Sequence, residues 1–148
     1  MDNWNNTIAK NDKTYFLGDL SINNSYEWSK RLNGDITYIN GNHDPSNFGE
    51  QWKIIDHKGI KFFLIHNPND PRYVKEIEEF VSSNPKSWII YGHTHNNNLI
   101  DNPFINFKKK RINVSVELIG YRPIELDKVV DIIKSNKARE NILYYNRN

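Results

Sequence analysis

Apolar positions along this chain follow two rhythms. Four short runs are continuously or nearly continuously apolar: Tyr15-Phe16-Leu17, Ile36-Thr37-Tyr38-Ile39, Phe62-Phe63-Leu64-Ile65 and Trp88-Ile89-Ile90-Tyr91. Runs of that length and content predict strands buried on both faces, spanning 14–17, 35–39, 60–65 and 87–91. Residues 52–55 pair with 60–65 as a hairpin across Asp56-His57-Lys58-Gly59. Ile112-Asn113-Val114-Ser115-Val116-Glu117-Leu118 alternates strictly, which predicts a strand with one wet or site-facing side.

Between these runs the spacing changes to three and four. Asp2 to Lys10 reads as a helix, with Asp2 as N-cap and Trp4 and Ile8 on one face. Residues 24–32 read as a second helix, with Tyr26, Trp28 and Leu32 apolar and Gly34 beyond its end. Asp70-Pro71 opens a third as N-cap and first helical residue, with Val74, Ile77, Phe80 and Val81 as its buried stripe. A fourth covers Leu126 to Asn136, with Val129, Val130, Ile132 and Ile133 apolar. Residues 96–103 form a polar loop, and the tail from Lys137 is peripheral. Strands alternating with helices predict an α/β fold, a sandwich of mixed β-sheets flanked by helices.

The 148 residues suit one domain, 1–148, long enough to bury a core. The mean hydropathy of -0.78 is low for a folded chain. An aromatic share of 13% offsets it, because Trp and Tyr carry apolar area that hydropathy scales undercount. A net charge of +2 gives no reason to expect a nucleic-acid or membrane-surface protein. No apolar run approaches the ~20 residues of a membrane span. Met1-Asp2-Asn3-Trp4-Asn5 has no secretory character, and cytoplasm is the expected compartment. With no cysteine, disulfides and thiolate metal sites are excluded.

The chemistry gathers where the buried runs end. Gly18-Asp19, Gly41-Asn42-His43-Asp44, His66 and Gly92-His93-Thr94-His95 each follow one of them, and four of the five histidines lie in these clusters. Open α/β sheets place their sites at such strand ends. Asp, Asn and His are the ligand types for hard-to-borderline divalent metals. Asp19 is suited to bridging two ions. His43 follows Asn42 and should point elsewhere, toward a leaving group as general acid, with Asp44 on its other ring nitrogen. Singly, each cluster has a plain reading: Asp19, Asn42 and Asp44 as turn residues, His66 as a satisfied buried histidine, His57 as a hairpin-turn residue. Their joint occurrence favours a metal site.

The clusters, in this order and spacing, resemble the second through fifth motifs of the calcineurin-like metallophosphoesterases. Asn113-Val114-Ser115-Val116-Glu117 followed by Tyr121-Arg122-Pro123 is similar to the C-terminal strand of small bacterial, archaeal and phage members. The resemblance implies that Asn42, His66 and His93, with bridging Asp19, complete one metal shell. It assigns His95 to a second metal, and His43 to acid or transition-state stabilisation with Asp44 in support. It implies hydrolysis of a phosphodiester or phosphomonoester by a metal-activated water. The metals would be Mn, Fe, Zn, Ni or Co, two in the family.

The family's first motif, a strand ending in Asp-x-His, has no counterpart before Asp19. The second shell would keep only Asp19 and His95, and the neighbours of the absent strand would expose backbone edges. A start upstream, a complementing chain or dimer, and a one-metal form are the readings. Asp2 and Asp12 read as cap and turn residues rather than replacement ligands. The alternative function is an impaired domain binding one metal or a phosphate ligand. Lys108-Lys109-Lys110-Arg111 reads as a solvated loop rather than a nucleic-acid contact, and the four tryptophans as packing. A small phosphoester is the expected partner.

Overall fold

The computed structural model describes residues 1–135. A five-stranded mixed sheet forms its centre, with order β3-β4-β5-β7-β6. The strands are β3 (Trp52–His57), β4 (Ile60–Ile65), β5 (Trp88–Tyr91), β6 (Ile105–Asn106) and β7 (Arg111–Asn113). β4, β5 and β7 run parallel, while β3 and β6 flank them antiparallel. A second sheet holds β1 (Lys13–Phe16) and β2 (Asp35–Tyr38) in parallel. This is the α/β arrangement of mixed sheets and flanking helices read from the sequence.

Side-chain alternation divides the core. Phe62, Leu64, Trp88, Ile90 and Ile112 face one way and meet Val129, Val130 and Ile132 of α4 (Leu126–Lys134). Phe63, Ile65, Ile89 and Tyr91 face the other way and meet Ile77 and Phe80 of α3 (Val74–Ser83). β4 and β5 are therefore covered on both faces, which explains their unbroken apolar runs. Asp70 caps the 3-10 turn Pro71–Tyr73 that leads into α3, its carboxylate accepting from the Arg72 N–H at 3.0 Å.

Several local expectations are corrected. The first helix, α1, is only Asp2–Asn5, with Met1 rather than Asp2 at the cap position. The side chain of Asn5 bonds the Arg31 carbonyl and the Asn33 N–H instead, so helix propagation gives way to a tertiary tie. Asp12 accepts from the Ala9 N–H, a turn role as read. The second helix, α2, is Ser25–Ser29. Val74 and Val81 are exposed rather than buried, and Tyr26 and Trp28 of α2 are exposed as well. Trp28 lies beneath the guanidinium of Arg31. The β3–β4 hairpin turns on two residues, Lys58 and Gly59, both at positive φ, so β3 runs on to His57 while β4 keeps the bounds read for it.

The alternating stretch 112–118 is strand only to Asn113. Turns closed by Leu118 N–H to Ser115 O and Tyr121 N–H to Val116 O replace the rest. Asn113 is fully buried, and its side chain accepts from the Ser115 N–H and hydroxyl. That satisfies the backbone locally and breaks the ladder. β6, only two residues long, carried no alternation to predict it. The tail from Lys137 lies outside the described residues.

Among the described residues β2 is the only strand partner of β1, so one edge of β1 is open. A cavity of about 1300 Å³ lies beside it, with Tyr15, Leu17, Leu64, Ile119 and Val129 in its wall. Asp19, His66, His93 and His95 line the same cavity.

Candidate metal centre

β1 ends at Phe16, and the chain turns at once through Gly18 and Asp19. Gly18 has φ +89, and a Cβ there would come within 2.6 Å of the Gly41 nitrogen and of His66 Nδ1. Gly41 is held as tightly, since a Cβ would meet Asp19 Oδ1 at 2.1 Å. Only hydrogen fits at either position, and this closeness brings the ends of β1 and β2 together. Asp19, His93 and His95 all adopt positive φ, at 57, 65 and 49 degrees. For non-glycine residues this costs on the order of 1–3 kcal/mol each and is typical of functional loops.

Four donor atoms meet at this point. One ligand atom each from Asp19, His66 and His93 lie within 4.8 Å of one another. His66 Nε2 is 3.2 Å from Asp19 Oδ2, 3.1 Å from Asn42 Oδ1 and 3.0 Å from His93 Nδ1. Its other nitrogen, Nδ1, is 2.7 Å from the Leu17 carbonyl oxygen. A carbonyl only accepts, so Nδ1 carries a proton, and in the neutral form of the ring Nε2 presents a bare lone pair. That lone pair faces a carboxylate oxygen and an amide oxygen, both acceptors. The arrangement is electrostatically unfavourable until a cation sits among them. The donor set is one carboxylate, one amide oxygen and two imidazoles, all suited to a borderline divalent ion. Burial pushes the pKa of His93 down, and the neighbouring His66 adds to the effect. The ring is thereby favoured in the neutral form that ligates.

The remaining sequence-predicted residues lie around this group. His95 is outside it. Its ring is half exposed, and Nδ1–H donates to Glu117 Oε1 at 2.7 Å. His43 is exposed, and its backbone N–H donates to Asp19 Oδ1 at 2.9 Å. Its ring has no hydrogen-bond partner among the described residues, though it is near enough to His93 to disfavour that ring's charge.

Asp44 does not hold the His43 ring. Its Oδ2 accepts from the N–H groups of Asp19 and Gly41, at 2.7 and 3.0 Å. Its Oδ1 accepts from the Leu20 N–H and from the Ser25 hydroxyl, at 3.1 and 2.7 Å. With four donors engaged, the carboxylate is a clamp between the loop of Asp19 and the loop of Gly41. Glu117 was missed as a participant, although the alternation at 112–118 had marked its side of the stretch as wet or site-facing. His57 does more than turn the hairpin, since its Nε2 meets Asp127 Oδ1 of α4 at 2.6 Å.

The calcineurin-like phosphoesterase superfamily domain matches residues 1–111 of this chain. The uncharacterized protein MJ1445 of Methanocaldococcus jannaschii is 44% identical over 147 residues, covering 96% of this chain and 77% of its own. The crystal structure of AQ665, a protein of unknown function from Aquifex aeolicus, superposes with a TM-score of 0.67 at 23% identity. It covers 88% of this chain and 81% of its own, a likeness of fold.

Proposed function

Because the chain belongs to the calcineurin-like phosphoesterase superfamily, we propose that it is a metal-dependent hydrolase of a small phosphodiester or phosphomonoester. The observation that carries this reading is the convergence on His66 Nε2 of oxygens from Asp19 and Asn42 and a nitrogen from His93. Asp19, Asn42, His66 and His93 would hold the ion, drawn from Mn, Fe, Zn, Ni or Co. A divalent ion in such a site lowers the pKa of a bound water toward neutrality and neutralises phosphoryl oxygens.

The chain's own residues supply the rest. Asp44 holds the Asp19 and Gly41 backbones so that the carboxylate of Asp19 and the loop of Asn42 face one point. His43 is the candidate general acid, its exposed and unengaged ring free to donate a proton to the leaving oxygen. Leu17 fixes the tautomer of His66.

A second reading is favoured by the position of His95. Since it lies outside the converging group, the domain binds one ion and serves as a phosphate-ligand binding module with little or no turnover. Metal counting together with hydrolysis of p-nitrophenyl phosphate and bis(p-nitrophenyl) phosphate separates the two. The enzyme reading expects turnover that a chelator abolishes and Mn restores. One bound ion per chain without turnover under any of the five metals overturns it in favour of the binding module.

A further inference from the structure

The order around His95 rests on a residue outside the four ligand clusters. Glu117 sits in the turn that follows β7, and its Oε1 lies 2.7 Å from His95 Nδ1. A carboxylate only accepts, so Nδ1 of His95 carries the proton and Nε2 presents its lone pair. Glu117 Oε2 is buried and has no hydrogen-bond partner among the described residues. Asn113 fixes the two segments against each other. Its Nδ2 donates to Thr94 Oγ1 and to the His95 carbonyl, while its Oδ1 receives the Ser115 N–H and hydroxyl. One buried amide thus positions the loop of His95 and the turn of Glu117 at once.

We infer that Glu117 is a positioning residue that fixes His95 with Nε2 free to ligate a divalent cation. This rests on the metal reading of the preceding section. The pair has the form of a carboxylate–histidine–metal relay, in which the carboxylate sets the tautomer and raises the basicity of the ligating nitrogen. It also accounts for the half-satisfied carboxylate. An imidazole polarised by a cation at Nε2 carries more positive charge toward Glu117. The partly buried anion is then better compensated than it is beside a neutral ring. The cation held here is the one that His95 serves, separate from the four-donor group centred on His66.

The test uses Glu117→Ala and Glu117→Gln in the full chain, with circular dichroism to confirm folding. Titration calorimetry with Mn and Zn reads metal affinity, and long-range proton–nitrogen correlation reads the His95 tautomer. The wild type is expected to bind a second ion more weakly than the first. Glu117→Ala should weaken that second binding about 10–100-fold, leave the tight ion within about threefold, and shift His95 toward the Nε2–H tautomer. Glu117→Gln keeps an acceptor and should retain the tautomer with a smaller loss of affinity.

Unchanged second-ion affinity in a folded Glu117→Ala variant, or a wild type that binds no second ion, overturns the inference. Two bound ions with this Glu117 dependence but no hydrolysis would sink the hydrolase reading and leave the inference standing.

Discussion

The Nδ1–H of His66 donates to the carbonyl of Leu17 at 2.7 Å, across 49 positions of sequence. His66 follows β4 of the central sheet, and Leu17 follows β1 of the two-stranded sheet. A backbone carbonyl on one sheet thus decides which nitrogen of a histidine on the other is free. The four donor atoms at the centre depend on that choice, and the first prediction follows from it.

Removing Asp19 takes away the only carboxylate of the four-donor group and the acceptor for the His43 N–H. Asp19→Ala should lose metal binding by more than about a hundredfold, measured by calorimetry, and His66→Ala should do the same. Retention of wild-type affinity in either would show that the ion binds elsewhere.

His43 makes no ring hydrogen bond among the described residues, so its truncation should leave the fold and the metal content alone. Turnover of an aryl phosphate by His43→Ala should fall about 100-fold or more, the usual scale for loss of a general acid. Unaltered turnover at full metal loading would remove the acid role.

Asp44 offers the opposite expectation. Its truncation orphans three backbone N–H groups and leaves the buried Ser25 hydroxyl only the Ser21 carbonyl as acceptor. Asp44→Ala should cost about 3 kcal/mol of stability in urea unfolding and weaken metal binding with it. If Asp44→Ala were as stable as wild type yet inactive, the clamp reading would give way to a direct catalytic one.

Gly41→Ala should cost about 2 kcal/mol, because the new methyl would drive into the Asp19 carboxylate 2.1 Å away. Reduced metal affinity should accompany the loss, since the atom displaced is part of a candidate ligand. A fully stable Gly41→Ala would mean that the two loops pack more loosely than described.

The acid limb of the stability profile should carry a contribution from Asp70. The Arg72 guanidinium, in contact at 2.7 Å, holds the Asp70 carboxyl below its ordinary value. The folded state therefore binds this proton less readily than the unfolded chain. The stabilisation is fully present above the ordinary carboxylate range and is lost as pH falls through the lowered folded value. Arg72 is largely exposed, so the effect is small. Asp70→Asn should be less stable than wild type at pH 7 and nearly equal at pH 2. A constant difference across that range would assign the loss to the helix cap alone.

Much of this was legible in the chain itself. β4 and β5 were readable because strands covered on both faces need apolar residues at every position. The Asp70-Pro71 helix start was readable because a cap is a contact between near neighbours. The motif clusters were readable as candidate ligands because their residue types fall at the ends of buried runs. The extent of α1 was not, since Asn5 gives up the helix for partners at Arg31 and Asn33. The exposure of Val74 and Val81 was not either, because a helical stripe shows which residues share a face and not how much of it the sheet covers.

Sequence by itself determined where β1 to β5 would run, where the polar clusters would fall, and which family the chain resembles. These depend on periodicity and on residue type, both local. Tertiary structure alone decided how those polar groups divide: Asp19, Asn42, His66 and His93 into one converging group, Asp44 into a clamp on the backbone, and His95 into a pair with Glu117. A carboxylate or an imidazole can serve several partners equally well. Only the packing of the sheets and the turns of Gly18, Gly41 and Asn113 fixes which partner lies within reach.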